Sequence, residues 1–166
     1  MPRWFLGGRR RASRTSPQLV VLPASLDANK AVVRRYLEEV MGTGDLMLVE
    51  TLFAPAMFER VRRAVGNLHR ACPDWRLTID ELVAEGDQVA VHWVARGTHT
   101  GPWGDFPPTG RLVTWSEIYI MQLADGKIIG GLREANIHEV IDQLGGQVMP
   151  PSAGAQESEP ERGAGE

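Results

Sequence analysis

The sequence predicts an α+β domain in which helices come first and an antiparallel sheet follows. In the first part of the chain, apolar residues recur at intervals of three and four, which is typical of one face of a helix. After Pro73 the interval changes to two, which is typical of strands with one buried face. Because the helices precede the strands instead of alternating with them, we expect them to pack together against one face of the sheet.

Three helices are predicted in the first half of the chain. The first can be capped by Ser25 or by Asp27, and the glycines of MGTG end its apolar stripe. Asp45 can cap a short second helix, and a third begins near Pro55 and runs up to the CPDW segment. A short closing helix, IHEVIDQLGG, is predicted after the strands.

Four strands are predicted in the second half. AEGDQ and ADGK are hairpin signals, because Asp and Gly tolerate the positive φ angles of tight turns. The outward faces of the strands also carry Val, Ile and Ala, and this surplus predicts a partner subunit on that face. One face of the third strand consists of Val113, Trp115, Glu117, Tyr119 and Met121.

Composition and charge argue against several classes of protein. The chain has 166 residues, which is enough for one domain with a core. A formal net charge of -3 argues against a general nucleic-acid binder. No apolar run approaches the roughly 18 residues of a membrane span, and the single cysteine, Cys72, suits a reducing compartment. We therefore expect a cytoplasmic protein with no membrane or nucleic-acid partner.

Both ends of the chain differ in composition from its middle. Residues 1–25 carry five arginines and no acid, and residues 147–166 are rich in Glu, Pro, Gly and Ser. We interpret them as a disordered basic leader and a disordered acidic tail, which leaves residues 26–146 as the working domain. A nucleic-acid or membrane-surface arm is the alternative for the leader.

A long loop interrupts the strands between the second and the third. Its sequence, GTHTGPWGDFPPTG, is rich in Gly and Pro and carries the apolar side chains of Trp103 and Phe106. We expect the loop to fold over the sheet edge and to narrow the mouth of a pocket, with its prolines restricting the backbone.

Four segments of the chain share a pattern with a known family. They are NKAVVRRYLEEVMGTGDL, CPDWRLTIDELVAEGDQVAVHWVARGTHTG, FPPTGRLVTWSEIYI, and ADGKI with QLGG, and together they cover about residues 28–146 with one notable gap, between the first segment and the second. This pattern resembles the SnoaL-like polyketide cyclases of the NTF2-like superfamily. The resemblance implies an NTF2-like cone, with N-terminal helices packed on a curved antiparallel sheet around an apolar pocket. It also implies a homodimer formed through the sheet, a small-molecule substrate, and acid/base chemistry that needs no metal or organic cofactor.

The catalytic pair that the resemblance implies is altered in this chain. The family's histidine before the DGK hairpin is Tyr119 here, and its aspartate after the hairpin is Arg133. Either residue can donate a hydrogen bond to an oxyanion, but arginine cannot act as a base. Many relatives carry an aspartate where this chain has Asn136. We therefore expect Glu117 or Glu134 to be the base, with Tyr119 or Arg133 as the oxyanion donor.

Histidines are the remaining candidates for chemistry. His99, in the GTHTG segment, matches the family and is a catalytic candidate, and the alternative is that it braces the loop through the backbone. His92 is expected on the outer face, and His69 and His138 lie near predicted helix ends. The histidines and Cys72 show no metal-ligand spacing, so no metal site is predicted.

Aromatic side chains are candidates for a wall that stacks on a polycyclic ligand. For each of them, packing in the core is the alternative. The candidates for substrate binding are Tyr36, Trp75, Trp93, Trp103, Phe106, Trp115 and Asn136.

Three functions fit these observations. The first is a cyclase or isomerase of polyketide-type secondary metabolism, the second is a ligand-binding module without catalysis, and the third is an assembly domain. A buried carboxylate in an apolar cavity supports the enzyme. A cavity without a carboxylate supports the binding module, and a filled cone supports the assembly domain.

Overall fold

Helices precede strands in the computed structural model of the protein, which describes residues 25–146. The α+β prediction is confirmed, while the predicted acidic tail and nearly all of the predicted leader lie outside the described residues. Among the described residues, none of the helices has the length and hydropathy that spanning a bilayer requires. The helices are α1 (Leu26–Arg35), α2 (Val49–Leu52), α3 (Phe58–Ala71) and α4 (Ile137–Leu144).

The first helix begins at a capping serine. The side-chain oxygen of Ser25 accepts a hydrogen bond from the N–H of Ala28 at 3.1 Å, which satisfies one of the free donors at the helix start. Of the two predicted caps, Ser25 is therefore confirmed, and Asp27 lies in the first turn instead.

The second and third helices each begin with a 3-10 turn. These turns are Leu46–Leu48 before α2 and Pro55–Met57 before α3. Asp45 caps the former as predicted, since its carboxylate accepts a hydrogen bond from the Met47 N–H at 3.1 Å. Pro55 opens the latter, where the missing N–H of proline leaves no donor unpaired.

The first helix widens before it ends. Residues Tyr36–Met41 continue α1 with π-helical hydrogen bonding, where the apolar stripe predicted a uniform α-helix. Such segments are rare and often occur at functional sites. Tyr36, Leu37, Val40 and Met41 are buried, so the wide turn lies against the interior of the protein.

The four predicted strands form one antiparallel sheet. Its order is β1-β2-β3-β4, so each strand pairs with its neighbours along the chain. The two predicted hairpins connect β1 to β2 and β3 to β4, and the long loop connects β2 to β3. The strands are β1 (Arg76–Glu85), β2 (Gln88–Thr98), β3 (Leu112–Ala124) and β4 (Lys127–Ala135).

Two extra residues bend the edges of the sheet. Asp80 in β1 and Ile129 in β4 have no partner in the register of the neighbouring strand. Bulges of this kind increase the bend and the twist of a strand. The central pair, β2 and β3, keeps a continuous register, so curvature is introduced at both edges.

The helices and the inner face of the sheet share one apolar core. Trp75, Trp93 and Trp115 lie within it, with ring centroids 6.0 to 6.5 Å apart. Buried residues of the helices, such as Val33 and Val65, belong to the same core. The alternation predicted for β3 is confirmed, since its inward residues are the less exposed ones.

The outer face of the sheet carries exposed apolar side chains. Val83, Ala90, Ile120 and Leu132 pair in turn across the four strands, and we call this set the outer apolar row. Ile118 lies beside it on β3. Val83, Ile118, Ile120 and Leu132 are between 40% and 73% exposed, so none of residues 25–146 covers this continuous apolar band.

Two glycines provide a matched test of the packing. A Cβ added at Gly97 in β2 would lie 2.8 Å from the Cβ of Trp75 and 2.9 Å from that of Cys72. Gly97→Ala should therefore lower the free energy of unfolding by about 1–3 kcal/mol, as overpacking does. Gly66→Ala in α3, where no described atom outside the adjacent helix backbone lies within 4 Å of the added Cβ, should raise it by roughly 0.5–1 kcal/mol. Urea denaturation of both variants measures these changes, and equal effects would contradict the close packing at Gly97.

Candidate active site

A cavity of about 450 Å³ lies between the helices and the inner face of the sheet. Tyr36, Trp93 and Trp115, all buried, line its interior, and Trp103 of the long loop also lines it. The rings of Trp103 and Trp115 meet edge to face, with centroids 5.1 Å apart. This aromatic lining suits a flat, apolar molecule.

The long loop is anchored so that Trp103 stays at the cavity. The N–H groups of Thr100 and Gly101 both donate to the carbonyl oxygen of Ala71 at 3.0 Å. Trp103 and Phe106 exchange two backbone hydrogen bonds of 3.0 Å. Gly101 passes so close to the end of α3 that a Cβ at this position would clash with the helix backbone. These contacts hold the loop against α3.

Three polar side chains reach the cavity from the sheet. Glu117 and Tyr119 are two residues apart in β3, and they share its inner face. Arg133 in β4 is the register partner of Tyr119 and also lines the cavity. The strand register therefore brings together a carboxylate, a phenol and a guanidinium group.

Glu117 is a nearly buried carboxylate. The residue is 9% exposed, and its Oε2 lies 3.6 Å from Nε of Arg133. Burial raises the pKa of Glu117, and this effect outweighs the opposing effects of the Arg133 charge and the Tyr119 hydroxyl. A carboxylate with a raised pKa is a stronger base than a solvated one.

The two tyrosines of the cavity are protonated at neutral pH. Burial, followed by the charge of Glu117, raises the pKa of Tyr119 to about 12. Burial also raises the pKa of Tyr36 far above its usual range. Both hydroxyl groups therefore retain a proton that they can donate in a hydrogen bond.

Two buried polar atoms of cavity-lining residues have no hydrogen-bond partner among the described residues. They are Nε1 of Trp93 and Oε2 of Glu117, and these residues are register partners across β2 and β3. An unpaired buried donor or acceptor costs about 1–3 kcal/mol. Because such groups are rare in folded proteins, they are candidates for a functional role.

Glu134 lies outside the cavity, which corrects its choice as a candidate base. Its register partner is Ile118, and both residues are exposed on the outer face of the sheet. Neighbouring residues of a strand point to opposite faces, so the inward position of Arg133 turns Glu134 outward. Among the described residues that line the cavity, Glu117 is the only carboxylate.

His99 is buried at the base of the long loop and is not among the residues that line the cavity. Its Nδ1 accepts a hydrogen bond from the Thr109 N–H at 3.3 Å, and its backbone pairs with Gly110 and Arg111. The ring of Trp103 lies 6.2 Å away between centroids. These contacts favour the bracing alternative over a catalytic role for His99.

Trp75 and Phe106 also lie away from the cavity lining, which corrects their choice as binding residues. Trp75 is buried in the core, where it stacks on Trp115 and its Nε1 donates to Nε2 of His69 at 3.1 Å. Phe106 lies against Gly146, after the end of α4. Both side chains support the site through packing. The other candidates, Tyr36, Trp93, Trp103, Trp115 and Asn136, line the cavity.

Residues of α3 and α4 complete the cavity, although no sequence pattern indicated them. Asn67 and Arg70 of α3 and Val140 of α4 belong to its lining. Polar residues beside the buried stripe of α3, which contains Val61 and Val65, usually face solvent. Which residues of α3 reach the cavity depends on the angle at which the helix packs on the sheet. The local sequence pattern does not predict that angle.

The remaining histidine and cysteine side chains lie elsewhere. In residues 25–146, no group of three or more His, Cys, Asp or Glu side chains is arranged to hold a metal ion. Cys72 is buried, and burial followed by the charge of Asp74 raises the pKa of its thiol to about 11. His92 lies on the outer face as predicted, with Nδ1 3.2 Å from a carboxylate oxygen of Asp80.

Comparison with known proteins establishes the family. A family model described as SnoaL-like polyketide cyclase matches residues 31–144. The chain belongs to the SnoaL-like polyketide cyclase family. The resemblance seen in the sequence is therefore confirmed. Among curated proteins, the comparison finds no match.

Solved structures of similar proteins share the fold of this SnoaL-like chain. A protein from Jannaschia sp. CCS1 has a TM-score of 0.68 and 20% identity, covering 82% of this chain and 97% of that chain. AclR from Streptomyces galilaeus has a TM-score of 0.67 and 22% identity, covering 77% and 91%. IdmH from Streptomyces antibioticus has a TM-score of 0.59 and 24% identity, covering 70% and 98%. AclR is provisionally assigned as a hydroxylase and the other two as polyketide cyclases. The likeness shows the fold, and the NTF2-like prediction is confirmed.

The burial of Glu117 predicts a pH-dependent difference in stability between the parent protein and Glu117→Gln. Below the ordinary pKa of 4.5 the carboxyl group is neutral in both the folded and the unfolded chain. As the pH rises past that value the unfolded chain ionises first, so the parent loses stability until the raised pKa of the folded state is passed. Glu117→Gln should therefore be more stable than the parent at pH 8, by a margin that shrinks towards pH 4.

Urea denaturation at the two pH values measures this margin. Glu134→Gln is the matched control, because its side chain is exposed on the outer face of the neighbouring strand. A margin for Glu117→Gln that stays constant between pH 4 and pH 8 would show that this carboxylate is not desolvated.

Proposed function

We propose that this SnoaL-like protein is an enzyme that cyclises or isomerises a flat, apolar small molecule of the polyketide type by acid/base chemistry. The observation that carries the proposal is a nearly buried carboxylate, Glu117, in an aromatic cavity of about 450 Å³. A cavity without a carboxylate would have favoured a binding module, and a cone filled by side chains would have favoured an assembly domain. The buried carboxylate therefore supports an enzyme. Membership of the SnoaL-like polyketide cyclase family supports the same class of reaction.

In the proposed reaction, Glu117 removes a proton from a carbon atom next to a carbonyl group. The electron pair of the C–H bond forms a C=C bond, and the carbonyl π electrons move onto oxygen to give an enolate. The enolate carbon then attacks a second carbonyl of the same molecule to close a ring, or a different carbon takes up the proton. Glu117 returns the proton, so the proposed step consumes no oxidant, reductant or cofactor.

The surroundings of Glu117 suit this chemistry. Its raised pKa brings the carboxylate closer to the basicity that proton abstraction near neutral pH requires. The Tyr119 hydroxyl or the Arg133 guanidinium can donate a hydrogen bond to the enolate oxygen, and in a desolvated cavity this stabilises the developing charge. The indole rings can hold the substrate in one conformation, which lowers the entropic barrier to ring closure.

A ligand-binding module without catalysis is the second candidate. Tyr119 and Arg133 occupy the positions where the family resemblance implies the catalytic histidine and aspartate, and this favours it. Both candidates involve a small-molecule ligand in the same cavity, so turnover distinguishes them.

We further propose the cytoplasm as the location, where the buried Cys72 thiol would remain reduced.

The catalytic proposal is tested by two carboxamide substitutions on neighbouring strands. Glu117→Gln keeps the shape of the side chain but removes the base, so turnover of enolisable polyketide-like substrates should fall by about 10²–10⁴-fold. Glu134→Gln removes an exposed carboxylate on the outer face and should leave turnover unchanged. Product formation is followed by chromatography, with binding measured in parallel by calorimetry.

The binding measurement separates the two candidates. Loss of turnover with retained binding in Glu117→Gln supports the enzyme. Parent protein that binds the substrates but converts none of them would favour the module, and equal turnover by both variants would exclude Glu117 as the base.

We also propose that a second copy of the chain covers the outer apolar row. Val83, Ala90, Ile120 and Leu132 form this band across all four strands, and leaving it in water would be unfavourable. Two-fold symmetric contacts place the same surface on both subunits. A row that crosses the middle of a sheet can therefore meet its own copy.

The dimer is tested by placing a charge in the outer apolar row. Leu132→Lys should raise the dimer dissociation constant at least tenfold, because it buries an unpaired charge in the interface. Met47→Lys is the control, since Met47 is also an exposed apolar residue, 84% exposed, but lies in the 3-10 turn before α2. Sedimentation velocity measures both constants, and a parent protein that is monomeric at 100 micromolar (about 1.8 mg/ml) would refute the proposed interface.

A further inference from the structure

We propose that the molecule bound in the cavity carries an anionic oxygen group, such as a carboxylate, which Arg70 and Arg133 hold at the cavity mouth. This inference rests on the proposed function, because it concerns the substrate of the same cavity. The proposed function requires a substrate with a flat, apolar body, and this inference adds that the substrate also carries a negative charge.

Exposure distinguishes the mouth of the cavity from its interior. Trp93, Trp115 and Glu117 are buried, whereas Arg70 and Arg133 are exposed although both line the cavity. The two arginines therefore stand where the cavity meets solvent. They come from different elements, since one belongs to α3 and the other to β4.

The charges at the cavity are not balanced. Among the described residues that line it, Arg70 and Arg133 are cationic and Glu117 is the only acid. The negative charge of Glu117 is also disfavoured by burial, which raises its pKa. A third arginine, Arg60 of α3, contributes positive charge near Tyr36. The charged side chains of the lining are therefore mainly cationic, which favours the binding of an anion.

Arg70 has no acidic partner in the part of the chain that the structure describes. Its Nη1 donates to the side-chain oxygen of Asn67 at 3.0 Å, and no described carboxylate lies within 4.0 Å. By contrast, Arg34 in α1 is paired with Glu38 at 3.2 Å. The guanidinium of Arg70 thus retains donors for an incoming anion.

Arg133 also retains free donors. Its Nε is 3.6 Å from Oε2 of Glu117, and the Tyr119 hydroxyl is its other polar neighbour. A guanidinium has five N–H donors, so these two neighbours leave some of them available. The side chain is 47% exposed, so the planar end of the guanidinium is accessible. A planar guanidinium matches a carboxylate with two parallel hydrogen bonds.

This placement gives the substrate a defined orientation. Its charged group would lie at the mouth between Arg70 and Arg133, and its flat body would lie against Trp103 and Trp115. The carbonyl group to be enolised would then lie deeper, beside Glu117. A neutral molecule of the same shape would lack the contact that sets this direction.

A pair of small aromatic probes tests the charge requirement separately from catalysis. 2-Naphthoate and 2-naphthamide have nearly the same shape, but only the former is an anion at pH 7.5. Calorimetry on the full chain in 20 mM salt should show naphthoate binding at least tenfold more tightly than naphthamide. The preference should shrink several-fold in 0.5 M NaCl, because salt screens an exposed ion pair.

Substitutions at the mouth identify the residues responsible. Arg70→Gln and Arg133→Gln should each weaken naphthoate binding about five- to tenfold and leave naphthamide binding unchanged. The lysine variants at both positions keep the charge and should retain most of the preference, which guards against loss through misfolding. Arg34→Gln removes an equal charge from a helix surface outside the cavity lining and should change neither affinity.

The outcomes separate this inference from the proposed function. Equal binding of both probes by the parent would overturn the anion requirement while the aromatic cavity and the role of Glu117 remain. An anion preference that survives both glutamine substitutions would overturn the assignment to Arg70 and Arg133. Failure of both probes to bind would count against the cavity as a binding site and against this inference together.

Discussion

The antiparallel register of β3 with β2 and β4 is the constraint on which the rest of the site depends. It sets Glu117 opposite Trp93 on one side and places Tyr119 opposite Arg133 on the other. Because strand side chains alternate between faces, a shift of one residue would turn this whole set outward and the outer apolar row inward. The same register therefore secures both the polar group in the cavity and the apolar band on the opposite face.

The site contains buried polar atoms that lower the stability of the folded state, and tightly packed aromatic side chains around them that raise it. The unpaired buried atoms of Trp93 and Glu117 disfavour the folded state locally, and the raised pKa of Glu117 expresses the same desolvation. Buried indole rings surround them, and each removes a large apolar area from water. The core thus stabilises a carboxylate in a place that would be unfavourable on its own, which is the condition that acid/base chemistry needs.

Local patterns in the sequence predicted most of the elements and part of the site. The change of period after Pro73 separated helices from strands, and alternation in β3 placed Trp115, Glu117 and Tyr119 on one face. Alternation also required that Arg133 and Glu134 point in opposite directions. It did not say which of them faces the cavity, because that choice depends on the register between β3 and β4, which is set by pairing along the whole hairpin and by the bulge at Ile129.

The sequence by itself determined the order of elements, the family pattern and the alternating faces, because these follow from interactions between residues close in the chain. Only the tertiary structure placed Glu117 and not Glu134 in the cavity lining, buried His99 at the base of the loop, and set Trp75 in the core. It also brought Arg70 from α3 to a cavity whose other charged groups, Glu117 and Arg133, lie on the sheet. These outcomes depend on how segments that are distant in the sequence pack against each other. The periodicity of the sequence reflects only local structure, so it does not predict the angle at which two such segments meet.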